Sequence, residues 1–301
     1  MELKAYAPGI YARSETLVQA TRDLDRGRTT EEAADARFEQ DFREFVEVQE
    51  RAGLDLLSDG LLRWQDLFRP LAERSEGLEA RPLTRFLDTN TFYRALLVDG
   101  DPSLRDPIRS PGLPPGRWLA TLPSPTALAH ATGGAATPQA LAGGVLAPQI
   151  ESYAREGCAL VVLSDPFLLH GGSARGLIES LRELPQDVRI ALQLPFGDAG
   201  PQLSELAEAP VAAVGIDFYA TRLDAVPEHF PKEILAGIVD SRSSAVEEPA
   251  EIGRFVDELL GRRPAGVSLS VNGDLQFVPE PIARRKIALL GEARSALAQA
   301  A

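Results

Sequence analysis

The sequence predicts a single (β/α)8 barrel domain over residues 1–301, with an elaborated connection between its second and third strands. Three observations carry that expectation. Eight short apolar runs recur along the chain, at 3–8, 54–59, 118–123, 159–165, 189–196, 211–218, 234–240 and 267–272. Several are nearly continuous in Val, Ile, Leu and Ala, as parallel strands covered on both faces require. Helical patterns fill most gaps, and most runs end in an acid or a turn former, as at Asp59-Gly60, Asp165-Pro166, Asp240 and Asn272-Gly273.

Taken in order, the first strand leads into a long, charge-rich stretch at 9–30. A helix over 31–51 is predicted from Phe38, Phe42 and Phe45 at helical spacing, a Thr29/Glu32 capping box and a stop at Gly53. The connection 60–117 reads as a hairpin at 86–98 followed by a Pro-rich surface loop at 101–115. The Ala/Gly-rich stretch 131–144 reads as a loop and a weakly specified helix start, with helices over 138–156, 173–183, 201–208, 247–261 and 279–299. No shorter repeat or low-complexity tract interrupts this order.

Composition narrows the function. With 44% hydrophobic and 25% charged residues, the 301-residue chain has the material for a core. A net charge of −13 repels phosphate backbones, so nucleic acid is not expected as a partner. The one cysteine, Cys158, excludes an internal disulfide and a Cys-rich metal site. No apolar run approaches the ~18 residues of a membrane span, and the N-terminus lacks a signal-peptide core. The expectation is a cytoplasmic protein that acts on a small molecule and binds no membrane.

Barrel enzymes carry their chemistry at the C-terminal ends of the strands. There this chain offers Asp59, Asp165, Asp217, Asp240 and Asp274, with Gln193, Tyr219 and Asn272 beside them. The connection adds Asp88, Asn90 and Tyr93. Each acid alone reads as a turn or helix cap, but convergence on one mouth points to a ligand. Arg63 and Arg242 are the natural counter-charges; a divalent ion on oxygen ligands, Mg or Mn rather than Zn, is the other answer. His130 reads as a helix residue, His229 as a loop residue and His170 as a loop or cap residue, with a catalytic role for His170 the sharper alternative. No GxSxG, HExxH, P-loop or GxGxxG motif is present.

The order of these pieces resembles the C-terminal catalytic barrel of the cobalamin-independent methionine synthase family, in its short single-barrel form. The resemblance rests on Glu47-Val48-Gln49-Glu50-Arg51-Ala52-Gly53-Leu54-Asp55 running into Ser58-Asp59-Gly60, on Leu87-Asp88-Thr89-Asn90, on Gly237-Ile238-Val239-Asp240 with Arg242-Ser243, and on Ser270-Val271-Asn272. It implies a (β/α)8 barrel, a folate-type methyl donor, homocysteine as acceptor and a zinc ion that activates the thiol. The family's His-x-Cys zinc pair falls on Gln193 and Pro195, its Glu ligand on Asp217, and its last Cys has no counterpart after Asn272. Its amino-acid-binding Ser and Glu fall on Ile10 and Leu61, and its relay His on Arg242.

The expected catalytic residues are Asp165, Asp240 and Arg242, and the expected substrate-binding residues Asp59, Arg63, Asp88, Asn90, Gln193, Tyr219 and Asn272. Asp217 is the one remnant of the metal site, and stoichiometric zinc is not expected. The expected activity is methyl transfer with an altered acceptor. The alternatives are a non-catalytic small-molecule-binding relative and a decarboxylase-type member of the same superfamily, whose arginines would hold substrate carboxylates.

Overall fold

The computed structural model describes residues 3–64, 66–87, 89 and 91–300. After β1 (Lys4–Ala5) the chain forms three helices, α1 (Glu15–Asp25), α2 (Glu31–Ala52) and α3 (Arg69–Glu73). A hairpin of β2 (Ser75–Arg85) and β3 (Phe92–Leu104) follows. The middle of the chain runs through β4 (Trp118–Pro123), α4 (Pro125–Ala131), α5 (Pro138–Leu141), a π-helical turn, α6 (Ala147–Arg155), β5 (Cys158–Ser164) and α7 (Ala174–Leu181). The last part comprises β6 (Ile190–Leu194), α8 (Leu203–Leu206), β7 (Ala213–Asp217), β8 (Glu233–Val239), α9 (Pro249–Gly261), β9 (Gly266–Val271) and α10 (Glu280–Ala300).

Seven strands pair in parallel in the order β1-β9-β8-β7-β6-β5-β4. Seven of the eight predicted runs are thus strands of one curled sheet. The run at 54–59 is reduced to a one-residue parallel bridge, Leu57 with Trp118. Its backbone still reaches both neighbours: the Asp55 N–H donates to Ala5 O at 2.9 Å and the Leu57 N–H to Arg117 O at 2.9 Å.

Burial follows the two-residue period of the strands. Tyr6, Leu119, Leu160, Val162, Ala191, Ala213 and Leu235 form a small separate cluster on the concave face. The alternate residues join the large cluster shared with the helices. The helices lie close where glycine permits it. A Cβ on Gly291 of α10 would stand 1.7 Å from Ala52 O at the end of α2.

Three local readings are corrected. The N-cap of α2 is Thr30, whose hydroxyl accepts from the Ala33 N–H, so Thr29 and Glu32 form no capping box; Glu31 and Glu32 instead face the positive end of the helix. The sequence does not predict the helix α1 because its apolar face is narrow, fully burying only Leu17 within a charge-rich stretch; Ser14 caps it. The hairpin extends to both sides of the predicted 86–98. Its first strand is mostly exposed and shifts register between Ala80 and Leu83, around Pro82, which hides the alternation.

Candidate active site

On the concave face the side chains turn polar towards the strand ends. Beyond the apolar cluster come Thr121, Ser164, Gln193, Asp217, Ser270 and Asn272, all buried. Room for them is made by Gly237, where a Cβ would stand 2.7 Å from the Asn272 Cα.

Asn272 is the centre of a network at the ends of β7, β8 and β9. Its Nδ2 donates to Asp217 Oδ1 at 3.0 Å and to Asp240 Oδ1 at 3.2 Å, and its Oδ1 accepts from the Ser241 N–H at 2.8 Å. Asp217 is 1% exposed, and its Oδ2 has no partner among the described residues. The Ser241 and Ser270 hydroxyls are buried and unpartnered in the same way. Burial pushes the Asp217 carboxyl up, against the pull of Asn272, the Tyr219 N–H and Arg242.

A buried ion pair supports this network from behind. Lys286 of α10 is 0% exposed, and its Nζ donates to Ala245 O and to both oxygens of Glu247 at 3.0–3.1 Å. Glu247 Oε1 also accepts from the Asp240 N–H at 2.7 Å and from the Tyr219 hydroxyl at 2.9 Å. Burial and the Glu247 carboxylate push the Tyr219 phenol up. One lysine thus fixes a carboxylate that fixes both the β8 loop and Tyr219.

Beside the network lies a narrow cavity at the mouth, about 30 Å³, walled by Ile10, Ser164, Pro195, Phe196, Asp274 and hairpin residues that include Phe86 and Tyr93. It has room for a water or two rather than a ligand. Aromatic rings fill the remainder. Phe86 stands 5.8–6.5 Å from the rings of Tyr93, Phe167, Phe196 and Phe277. Phe196 divides the cavity from the network: the Arg242 guanidinium sits 5.0 Å over its ring. Its backbone is left-handed, φ 67°, a strained state for a bulky residue. Asp274, on the cavity wall, accepts from the Ile10 N–H at 3.0 Å, and burial pushes its carboxyl up to about 6.

The expected residues therefore divide. Asp217, Asp240, Arg242, Tyr219 and Asn272 come together, and Gln193 lies alongside, its Nε2 donating to Val271 O at 3.3 Å. Asp165 is fully buried but occupied by its own loops. It accepts from the hydroxyls of Ser124 and Thr126 and from the N–H groups of Phe167 and Leu168. Asp59 and Arg63 stand on the wall of a different cavity, beside α2. Arg63 is claimed there by Asp35 at 2.6 Å and Glu39 at 2.8 Å, which the sequence spacing does not reveal. Asp88 and Asn90 lie outside the described residues. His130 stacks on Phe167 at 3.9 Å, and the exposed His170 meets Phe196 O at 3.0 Å.

Sequence reasoning missed Glu247, Lys286 and the aromatic cap. A signal existed for Lys286: it occupies a core position of α10 between Ala283 and Leu290, where a charge needs a buried partner.

Comparison with known proteins bears on this geometry. No family model matches the chain. It is 28% identical over 207 residues to the 5-methyltetrahydropteroyltriglutamate–homocysteine methyltransferase of Mycobacterium leprae, covering 59% of this chain and 26% of that protein. It is 27% identical over 237 residues to the enzyme of that name from Synechococcus sp., covering 72% of this chain and 31% of that protein. The chain thus spans about a quarter to a third of the length of these curated relatives. In fold it is similar to a putative vitamin-B12-independent methionine synthase from Listeria monocytogenes, with a TM-score of 0.74, 16% identity and 99% of both chains covered. It is also similar to a B12-independent methionine synthase from Shewanella sp. in complex with selenomethionine, with a TM-score of 0.71, 14% identity and 91% of both chains covered.

Proposed function

We propose, starting from this kinship with the cobalamin-independent methionine synthases, that the chain is a methyltransferase-like enzyme of the cytoplasm, with its active site at the mouth of one (β/α)8 domain. It takes a methyl group from a folate-type donor and passes it to a small-molecule acceptor other than homocysteine. In this reading the segment at 54–58, bonded to β1 and to the edge of β4, is the eighth strand position.

The observation that carries the reading is the Asp217 carboxylate: buried, with Oδ2 unpartnered, at the end of a barrel strand and braced by Asn272. Natural structures rarely leave such an atom without a partner unless a ligand or a reaction uses it. Methyl transfer from an amine to a nucleophile needs a proton delivered to the leaving nitrogen and one removed from the acceptor. Asp217, raised by burial, is suited to take the acceptor's proton, and the leaving nitrogen takes its proton from solvent before the donor is enclosed. Arg242, exposed over Phe196, offers its charge to an anionic part of a substrate. Asp240, Gln193, Tyr219 and Asn272 shape the site, and Asp165 acts through the two loops it ties. A substrate enters only if the Phe86 and Tyr93 side of the hairpin withdraws, since the cavity is far smaller than a ligand.

The residues present do not fit the family's zinc. Gln193 and Pro195 stand where a His-x-Cys pair is expected, Gln193 spends its amide on the backbone, and the anionic donors beside it, Asp217 and Asp240, are hard oxygen ligands rather than thiolates. Cys158 lies at the start of β5, the far end of the barrel, and burial pushes its thiol up to about 11, away from the thiolate that zinc needs.

The test is methyl transfer from methyl-labelled 5-methyltetrahydrofolate to a panel of thiols, amines and hydroxy compounds, read by mass spectrometry. One acceptor class should gain label, and Asp217→Asn should slow the transfer by about 100-fold or more. Label that stays on the folate with every acceptor overturns the reading.

A further inference from the structure

A second cavity, outside the mouth, has the size the mouth lacks. It measures about 500 Å³ and lies between α2, the turn after residue 58 and the loop that follows β3. That volume falls in the range of small-molecule sites, about 300–1,000 Å³. Phe38, Phe42, Leu62, Trp64 and Ile108 give it an apolar wall.

Its charges decide what it would take. Every arginine on the wall already faces an acid: Arg63 faces Asp35 and Glu39, Arg74 faces Asp106, and Arg109 faces Glu156. Of the wall's acids, Glu39 is held by Arg63 and Glu73 by Arg69. Asp59 is the exception. Its Oδ1 accepts from the Leu61 N–H at 3.0 Å, and no cation stands near it among the described residues. Burial pushes its carboxyl up against the pull of the Leu61 and Asp59 N–H groups, with no cation opposing it, as for a desolvated acid without a counter-ion.

We infer that this cavity is a second binding site, separate from the mouth, for a small organic cation: an ammonium or amidinium group against Asp59 with an apolar or aromatic body against Phe38, Phe42 and Trp64. A charged head on an apolar body matches both halves of the wall. An anion would meet arginines whose charge is already spent, and a purely apolar ligand would leave Asp59 desolvated and unpaired. The inference is independent of any methyl-transfer activity at the mouth.

The experiment is a titration of the intact protein with 2-phenylethylammonium, its neutral isostere 2-phenylethanol and the anion 3-phenylpropionate, followed by heteronuclear NMR. The cation should bind at least tenfold more tightly than either isostere and shift the Trp64 indole signal. Asp59→Asn should abolish that preference, whereas Asp217→Asn in the mouth should leave it unchanged. Ile108→Lys, which places a cation on the same wall and leaves Asp59 in place, should weaken the ammonium at least tenfold and serves if Asp59→Asn does not fold. Equal affinity for the three compounds, a preference that survives both wall substitutions, or one that vanishes with Asp217→Asn overturns the inference.

Discussion

Asp274 holds its carboxylate against the loop after β1: Oδ1 accepts from the Ile10 N–H, and Gly9 packs so close that a Cβ there would meet Oδ1 at 2.4 Å. Burial outweighs the two hydrogen bonds it accepts and sets its pKa at about 6. In the unfolded chain the value is about 3.9. A carboxyl raised by folding contributes stability that is complete below about pH 4 and is lost as pH rises through about 6. Asp274→Asn mimics the protonated form. It should match the parent near pH 4 and exceed it by up to about 3 kcal/mol at pH 8. Urea unfolding at the two pH values checks this. Lys286 makes the opposite case. Lys286→Met leaves Glu247 buried without its cation and should cost about 3–5 kcal/mol, with Glu247→Gln in the same chain restoring part of the loss. Chemical unfolding of the single and double variants measures it.

Between elements, close approach decides more than intrinsic preference. Gly291 lies inside α10, where exchange for alanine ordinarily gains about 1 kcal/mol. Here the added Cβ would stand 1.7 Å from Ala52 O, and backbone cannot yield as a flexible side-chain end can. Overpacking of that kind costs about 1–3 kcal/mol, so Gly291→Ala should destabilise on balance, contrary to the propensity rule. A lowered urea midpoint with an unchanged slope is the expected result. The same contrast explains what was legible in the sequence. The runs that became β4 to β9 were readable because both faces are covered and their apolar character is continuous. The run at 54–59 was readable too, but the backbone there pairs through a single residue. The helix α1 and the strand β2 were not readable, since one buries a single residue and the other is mostly exposed and shifts register around Pro82. The cluster of Asp217, Asp240, Arg242 and Asn272 was readable because strand ends converge in a barrel. The removal of Arg63 and Asp59 from the mouth was not, because the acids that hold Arg63 lie 24 and 28 residues away on α2.

At the scale of the molecule, a curled parallel sheet gathers polar side chains at one end, and a hairpin with an aromatic face covers them. The likeness to the solved B12-independent methionine synthases is one of fold at 14–16% identity, and the 27–28% sequence matches span only about a quarter to a third of the curated relatives, so the chemistry must be argued from the side chains at the mouth. On the proposed reading, those side chains replace the family's groups at the thiol, amino-acid and relay positions together. The gene should therefore fail to rescue growth on homocysteine of a strain lacking methionine synthase. Growth at the rate given by a true synthase would show that other residues serve in those roles.

The claim on which the rest depends is that this mouth works without the family's zinc. The most direct measurement is the metal content of the protein, purified without chelators from zinc-supplemented cells and dialysed before elemental analysis. The account predicts zinc far below one ion per chain, unchanged in Asp217→Asn. About one zinc per chain, retained through dialysis and lost in Asp217→Asn, would contradict it.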